Sequence, residues 1–231
     1  MSLPILIYTG PGTEPDAFNA LKRMFRLAIP THHTIISVDS DELITRLQNH
    51  QCDLLVMPGG RDLPYCKALS GEPNRLIRKF VQEGGKYLGI CAGAYYGSRE
   101  VLFELNGPLE VQGSRELCFF PGPAIGPAYG LGLFEYDSLA GARPAKISWK
   151  GGETSIFYNG GCYFHNAHHF SEYVEILGRY NDIPEQPAAI VGCRFGKGKA
   201  LLCGVHPEVH SLNICPQKSL TLFTYLTDWL L

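Results

Sequence analysis

Two short segments far apart in the chain carry side chains that could work together as a nucleophile, a base and an acid. Cys91 lies in Gly89-Ile90-Cys91-Ala92-Gly93, and His206 opens His206-Pro207-Glu208. A thiol becomes a useful nucleophile at neutral pH only when a neighbour favours its thiolate, because a free cysteine titrates near ~8.5. An imidazole can do this, and a carboxylate two residues on can orient that imidazole, which is the logic of covalent acyl transfer. G-x-C-x-G after an apolar run has the form of a nucleophile elbow, a sharp strand-to-helix turn that lifts one side chain above a sheet. The Ala92 N–H is then placed to hold an oxyanion beside Cys91. A second donor is expected from Gly59 or Gly60, with Gly60 the choice for the mechanism; each such donor is commonly worth ~3 kcal/mol in a transition state.

The elements needed to position these groups are legible along the first hundred residues, where short apolar runs alternate with helical patterns. This alternation is the signature of a parallel α/β sheet. Strands are expected at Pro4–Tyr8, Thr34–Val38, Asp53–Met57 and Tyr87–Ile90. Helices are expected from about Asp16 to Ala28, after a cap at Asp39-Ser40-Asp41, and from a cap at Asn74 to about Glu83, stopped by Gly84-Gly85. Gly107 to Arg143 is rich in Gly and Pro and reads as extended connections and edge elements. Strand patterns return at Lys146–Trp149, Ser155–Tyr158, Val174–Tyr180, Ala188–Phe195 and Ala200–Val205, and an amphipathic helix at Ser219–Leu230 closes the chain. The expected fold is α/β: one flavodoxin-like domain over residues 1–231, doubly wound, its mostly parallel sheet covered by helices on both faces. Ligands of such sheets bind at the carboxyl ends of the strands, where Pro58-Gly59-Gly60 and Cys91 both stand.

Composition narrows the function classes. Of 231 residues 45% are hydrophobic and 18% charged, enough for a substantial core, and the net charge of −2 gives no pull toward nucleic acid or anionic membrane. No apolar run approaches the ~18–20 residues of a membrane span, and the N-terminal apolar run is too short for a signal peptide. A cytoplasmic setting is expected. The eight cysteines include no C-x-x-C, and Cys52, Cys193 and Cys203 fall inside apolar patterns as small buried hydrophobes. His165, His168 and His169 lack a matching carboxylate or cysteine pattern, so neither a metal nor a cofactor is expected.

Pro58-Gly59-Gly60, the Gly89–Gly93 elbow and His206-Pro207-Glu208, in this order, resemble class I glutamine amidotransferase-like domains. A narrower resemblance is to the N-terminal domain of eukaryotic biotin–protein ligases. It is carried by Tyr8-Thr9-Gly10-Pro11-Gly12-Thr13, by Met57 to Tyr65 and by Cys91-Ala92-Gly93-Ala94-Tyr95-Tyr96. The resemblance implies Cys91 as nucleophile, His206 as base and Glu208 as orienting acid, with a thioester intermediate on the way to amide hydrolysis or transfer. It does not imply biotinylation, since the ligase's own catalytic and biotin-binding domains have no counterpart here. Amidotransferases that use glutamine usually carry Gln where this chain has Tyr95, so another small amide, ester or thioester is an equal expectation. Arg61, Tyr95 and Tyr96, with Gly160 and Gly161 in a Gly-rich aromatic loop, are the candidate substrate contacts. Two other readings remain open at this point. One is a non-catalytic ligand-binding or regulatory module acting on a biotin ligase or another partner, and the other is a redox role for Cys91.

Overall fold

The computed structural model describes residues 3–29 and 33–231. Four short apolar segments form the first strands: β1 (Ile5–Tyr8), β2 (Ile35–Val38), β3 (Leu54–Met57) and β4 (Lys86–Ile90). Every residue of β1 and β3 is buried, as expected of strands covered on both faces. With β13 (Gly198–Cys203) they lie in the order β2-β1-β3-β4-β13, all parallel, which is the flavodoxin-like doubly wound arrangement.

Helices α1 (Ala17–Ala28) and α6 (Pro216–Leu230) cover one face, where the Phe25 and Phe223 rings meet edge to face at 5.1 Å. On the other face lie α2 (Ser40–Gln48), α3 (Asp62–Leu69), α4 (Glu72–Gln82) and the short α5 (Ala92–Tyr96). The Asp39 carboxylate accepts the Glu42 N–H at 2.9 Å, so the expected cap of α2 is present.

Beyond β13 the sheet turns antiparallel, apart from the parallel pair of β5 (Ser98–Phe103) and β7 (Phe120–Gly126). Its neighbour β12 (Ala188–Phe195) shares its far edge between β10 (Tyr163–Phe164) and β11 (Val174–Tyr180). One branch runs from β10 through β7 and β5 to β6 (Val111–Ser114). The other runs from β11 through β8 (Arg143–Trp149) to β9 (Gly152–Tyr158).

Three local expectations are corrected. Asn74 does not cap α4: the helix starts at Glu72 with Pro73 in its first turn, and the buried Asn74 side chain accepts from the Tyr96 hydroxyl and donates to Glu116 at 2.7 Å. Helix α3 follows Pro58-Gly59-Gly60-Arg61, in a stretch where the sequence pattern predicts no helix. The Gly- and Pro-rich stretch contains an edge strand, β6, but also β7, which is paired on both sides.

Candidate functional site

Four loops converge at the carboxyl ends of the parallel strands: Thr9–Thr13 after β1, Pro58–Gly60 after β3, Cys91 after β4 and Gly204–Glu208 after β13. An isolated bridge pairs Thr13 with Gly60 through Glu14 N–H to Gly59 O (3.2 Å) and Arg61 N–H to Gly12 O (2.8 Å). That pattern leaves the Gly60 N–H without a backbone acceptor among the described residues.

Cys91 sits at φ 48, ψ −104, in the left-handed half of the map that a side-chain-bearing residue rarely occupies. Its backbone is fixed from both sides. The Cys91 N–H donates to Cys203 O at 2.8 Å, and the Cys91 carbonyl accepts from Ala94 and Tyr95 at 2.9 and 3.0 Å. Gly93 donates to Pro58 O at 3.1 Å, and a Cβ there would lie 2.0 Å from Met57 O, so only glycine lets the elbow press on β3. The Ala92 N–H is left as an amide of this first turn with no backbone acceptor among the described residues. Helix α5 is five residues long, so its dipole is small.

His206 lines the same cavity as Cys91. Its Nδ1 is 2.8 Å from Glu208 Oε1, and both residues are buried. The ring meets Gly59 through Cε1, which a Cβ at that position would approach to 2.6 Å. Its backbone N–H donates to Phe157 O at 2.8 Å. Burial pulls the imidazolium's pKa down, but the charges of Glu208 and of Cys91 outweigh it and hold it well above the usual histidine value. The Cys91 thiol itself faces the Asn159 carbonyl at 3.7 Å. Burial pushes the half-buried Cys66 thiol up to about 11 and the Cys52 thiol to about 12, and raises those of Cys162, Cys193 and Cys203.

Cys91 and Gly60 stand where two cavities meet. One is a slot of about 30 Å³ lined by Ala92, Tyr95, Val101, Phe103, Phe134 and Tyr136. The other is a bowl of about 610 Å³ that holds His206, Glu208, Gly59, Phe157 and Asn159. A flap, Phe134–Leu139, lines the bowl, and its Phe134 and Tyr136 also line the slot. It is latched by Arg61 Nη2 to Asp137 Oδ2 at 2.6 Å, with the guanidinium stacked 4.4 Å from the Tyr136 ring. At its base the buried Glu104 carboxylate accepts the Gly132 N–H at 2.8 Å.

Residues 3–225 match the family described as biotin-protein ligase, N terminal. The chain belongs to this family. As a member of the biotin–protein ligase N-terminal family it is 42% identical over 209 residues to an uncharacterized protein of Chlamydia muridarum, covering 88% of this chain and 80% of that one. It is 39% identical over 214 residues to the biotin–protein ligase of Schizosaccharomyces pombe, covering 88% of this chain but only 33% of the ligase. Solved structures share its fold at low identity. A ThuA-like protein from Bacteroides uniformis (TM-score 0.54, 12% identity) matches over 97% of this chain and 91% of its own. The cytoplasmic protein STM3548 from Salmonella typhimurium (TM-score 0.51, 13% identity) matches over 98% of each chain. A β-galactosidase from Rahnella sp. (TM-score 0.54, 14% identity) matches over 99% of this chain and 31% of its own. No helix among the described residues is long and apolar enough to cross a membrane.

Within this family member the residues singled out from sequence divide into two groups. Cys91, His206, Glu208, Gly59 and Gly60 line the bowl, and Ala92, Tyr95 and Arg61 line the slot. Tyr96 points away: it is fully buried against Tyr65 and Asn74 and has no part in either cavity. Gly160 and Gly161 act through their carbonyls, Gly160 O accepting from Tyr95 Oη and Gly161 O from Tyr158 Oη, both at 3.0 Å, and it is Asn159 of that loop that reaches the bowl. Sequence reasoning missed Asn159 of that loop, the flap, and Glu14, Asp16, Glu135 and Asp137 of the bowl. Among the described residues no group of three or more His, Cys, Asp or Glu gathers as a metal site.

Proposed function

We propose that the protein is a cysteine hydrolase or acyltransferase acting on the C–N bond of a small amide, related in mechanism to class I glutamine amidotransferases. The observation that carries the reading is Cys91, held at a strained φ of 48 in the same cavity as a buried His206–Glu208 pair at 2.8 Å. Strain of this kind costs about 1–3 kcal/mol and persists where the surroundings over-determine it, typically at functional sites.

The steps follow from the groups present. The Cys91 thiol passes its proton to His206, and the sulfur attacks the carbonyl carbon. The oxyanion is held by the free Ala92 and Gly60 N–H groups. Imidazolium donates its proton to the leaving nitrogen as the C–N bond breaks, giving a thioester. Water, deprotonated by His206, releases the acid and restores the thiol. Glu208 keeps Nδ1 protonated so that Nε2 faces the chemistry, and it stabilises the charged ring.

The test is the pH profile of Cys91 alkylation by iodoacetamide, read by peptide mass spectrometry. A reactive plateau persisting below pH 7 is expected, and His206→Ala should remove it. A profile that follows an ordinary thiol near pH 8.5 would refute the mechanism. A second reading is favoured by one finding, that this unit forms about a third of a relative named a biotin–protein ligase. On that reading the unit is a regulatory module for a ligase, and binding of a ligase domain would be unchanged in Cys91→Ser.

A further inference from the structure

Tyr65, one of the two buried residues of α3, lines neither cavity. It is fully buried, and its ring is clamped edge to face between Tyr8 at 5.5 Å and Tyr96 at 5.7 Å. Gly12 presses on the same ring so closely that a Cβ there would stand 2.9 Å from it. Packing therefore fixes where the hydroxyl sits.

That hydroxyl faces two successive carbonyls of the Pro58-Gly59-Gly60 turn, Pro58 O at 3.2 Å and Gly59 O at 3.3 Å. Burial raises the phenol's pKa, so it stays a donor throughout the working pH range. Gly59 O also accepts the Glu14 N–H at 3.2 Å, and Pro58 O accepts the Gly93 N–H of the Cys91 elbow at 3.1 Å. In a planar trans peptide the C=O and the N–H that follows it point in opposite directions. Drawing Gly59 O toward Tyr65 and Glu14 thus turns the Gly60 N–H the other way, and Gly60 lines both cavities beside Cys91. Gly60, at φ 135, has the freedom to rotate, and a flipped peptide would offer the oxyanion a carbonyl in place of a donor.

We propose that Tyr65 is a positioning residue for acyl transfer, its hydroxyl holding the Gly59–Gly60 peptide so that the Gly60 N–H meets the oxyanion. This rests on Cys91 forming a thioester.

The test compares two reactions of one sulfur. Attack on p-nitrophenyl acetate forms a C–S bond, breaks the ester C–O bond and releases p-nitrophenolate, while the thiol proton passes to His206. Negative charge builds on the carbonyl oxygen on the way. Displacement of iodide from iodoacetamide forms a C–S bond at a methylene carbon and builds no oxyanion. Both reactions need the thiolate, and only the first needs the backbone donors. With protein in excess, p-nitrophenolate release is followed by absorbance and corrected for the rate in Cys91→Ser; labelling of Cys91 by iodoacetamide is read by peptide mass spectrometry. Tyr65→Phe keeps the ring and removes only the hydroxyl. Its acylation should slow on the order of 10-fold, a fraction of the roughly 10²–10³ lost with a whole donor, while its alkylation stays within about 2-fold of wild type. Unchanged acylation overturns the role of the hydroxyl and leaves the thioester chemistry standing. Parallel loss of both reactions also overturns it, because Tyr65 would then support the packing of the site and not the donor. A wild type that is alkylated quickly yet releases no p-nitrophenolate overturns acyl transfer itself.

Discussion

Gly59→Ala tests the geometry of the site through a single methyl group. Gly59 does not have a positive φ, so alanine is no strain on the backbone, and the whole effect falls on what the methyl touches. It would stand 2.6 Å from His206 Cε1 and 3.3 Å from Nδ1, where ordinary contact begins at 3.4 Å, so the ring must retreat about 0.8 Å. Retreat is resisted by the Glu208 contact at 2.8 Å and by the His206 N–H bonded to Phe157 O, so the ring tilts about its anchored side. Overpacking of this kind costs about 1–3 kcal/mol, and each kcal/mol lowers Tm by roughly 2–4 °C in a protein of this size. A displacement approaching 1 Å at a reacting group costs on the order of 100-fold in rate. The expectation is therefore a modest fall in Tm, roughly 2–12 °C, with a large loss of Cys91 alkylation rate near pH 7. Both are measured on the same samples by calorimetry and by iodoacetamide labelling. Wild-type labelling kinetics in Gly59→Ala would refute the claim that His206 activates Cys91 from this position.

Gly93→Ala is expected to be far more damaging to stability, because the new methyl would meet Met57 backbone atoms at 2.0 and 2.7 Å that cannot yield; a loss of about 3 kcal/mol or more, read by urea denaturation, is the expected outcome. Glu208→Gln keeps the shape but removes the charge that supports imidazolium, so labelling of Cys91 near pH 6.5 should fall about 10-fold, roughly 1.4 kcal/mol, with little change at pH 9. His206 has a raised folded-state pKa, so its contribution to stability is complete below its unfolded pKa near ~6.5 and is lost as pH rises through the folded value. Denaturation midpoints of wild type and His206→Asn should therefore converge as pH is raised from 6 toward the alkaline range. Glu104→Ala strips the Gly132 N–H of its acceptor, and hydrogen exchange should quicken through residues 130–140 while the parallel strands stay protected.

Much of the fold was legible because the strands that carry it are buried on both faces and so read as unbroken apolar runs. Leu54–Met57 and Ala200–Cys203 could hardly be anything else, and the Asp39 cap announced α2. Helix α3 was not legible: Pro64 stands inside it and only Tyr65 and Leu69 are buried, too few to set a helical period. Strand β7 was hidden by its own composition, Phe120-Pro-Gly-Pro-Ala-Ile-Gly126, which propensity assigns to loops and which only pairing with β5 and β10 makes a strand. At the site, Cys91 and His206-Pro207-Glu208 stood out because their chemistry is unusual at that spacing. Glu14, Asp16, Glu135 and Asn159 did not, since each is an ordinary polar loop residue made neighbours of the others only by the crossing of the chain. Tyr96 was misread for the converse reason: adjacent to Tyr95 in sequence, it lies on the other side of a helix turn and belongs to the core.

The bond from Cys91 N–H to Cys203 O ties the proposed nucleophile to the strand from which His206 departs three residues later. The distance between sulfur and imidazole is therefore set by a rung of the parallel ladder and not by the excursions of any surface loop. Warming that loosens the flap would change who can enter long before it changes what happens inside. Thiol reactivity toward a very small reagent should accordingly outlast recognition of larger molecules, and vanish only when the sheet itself melts.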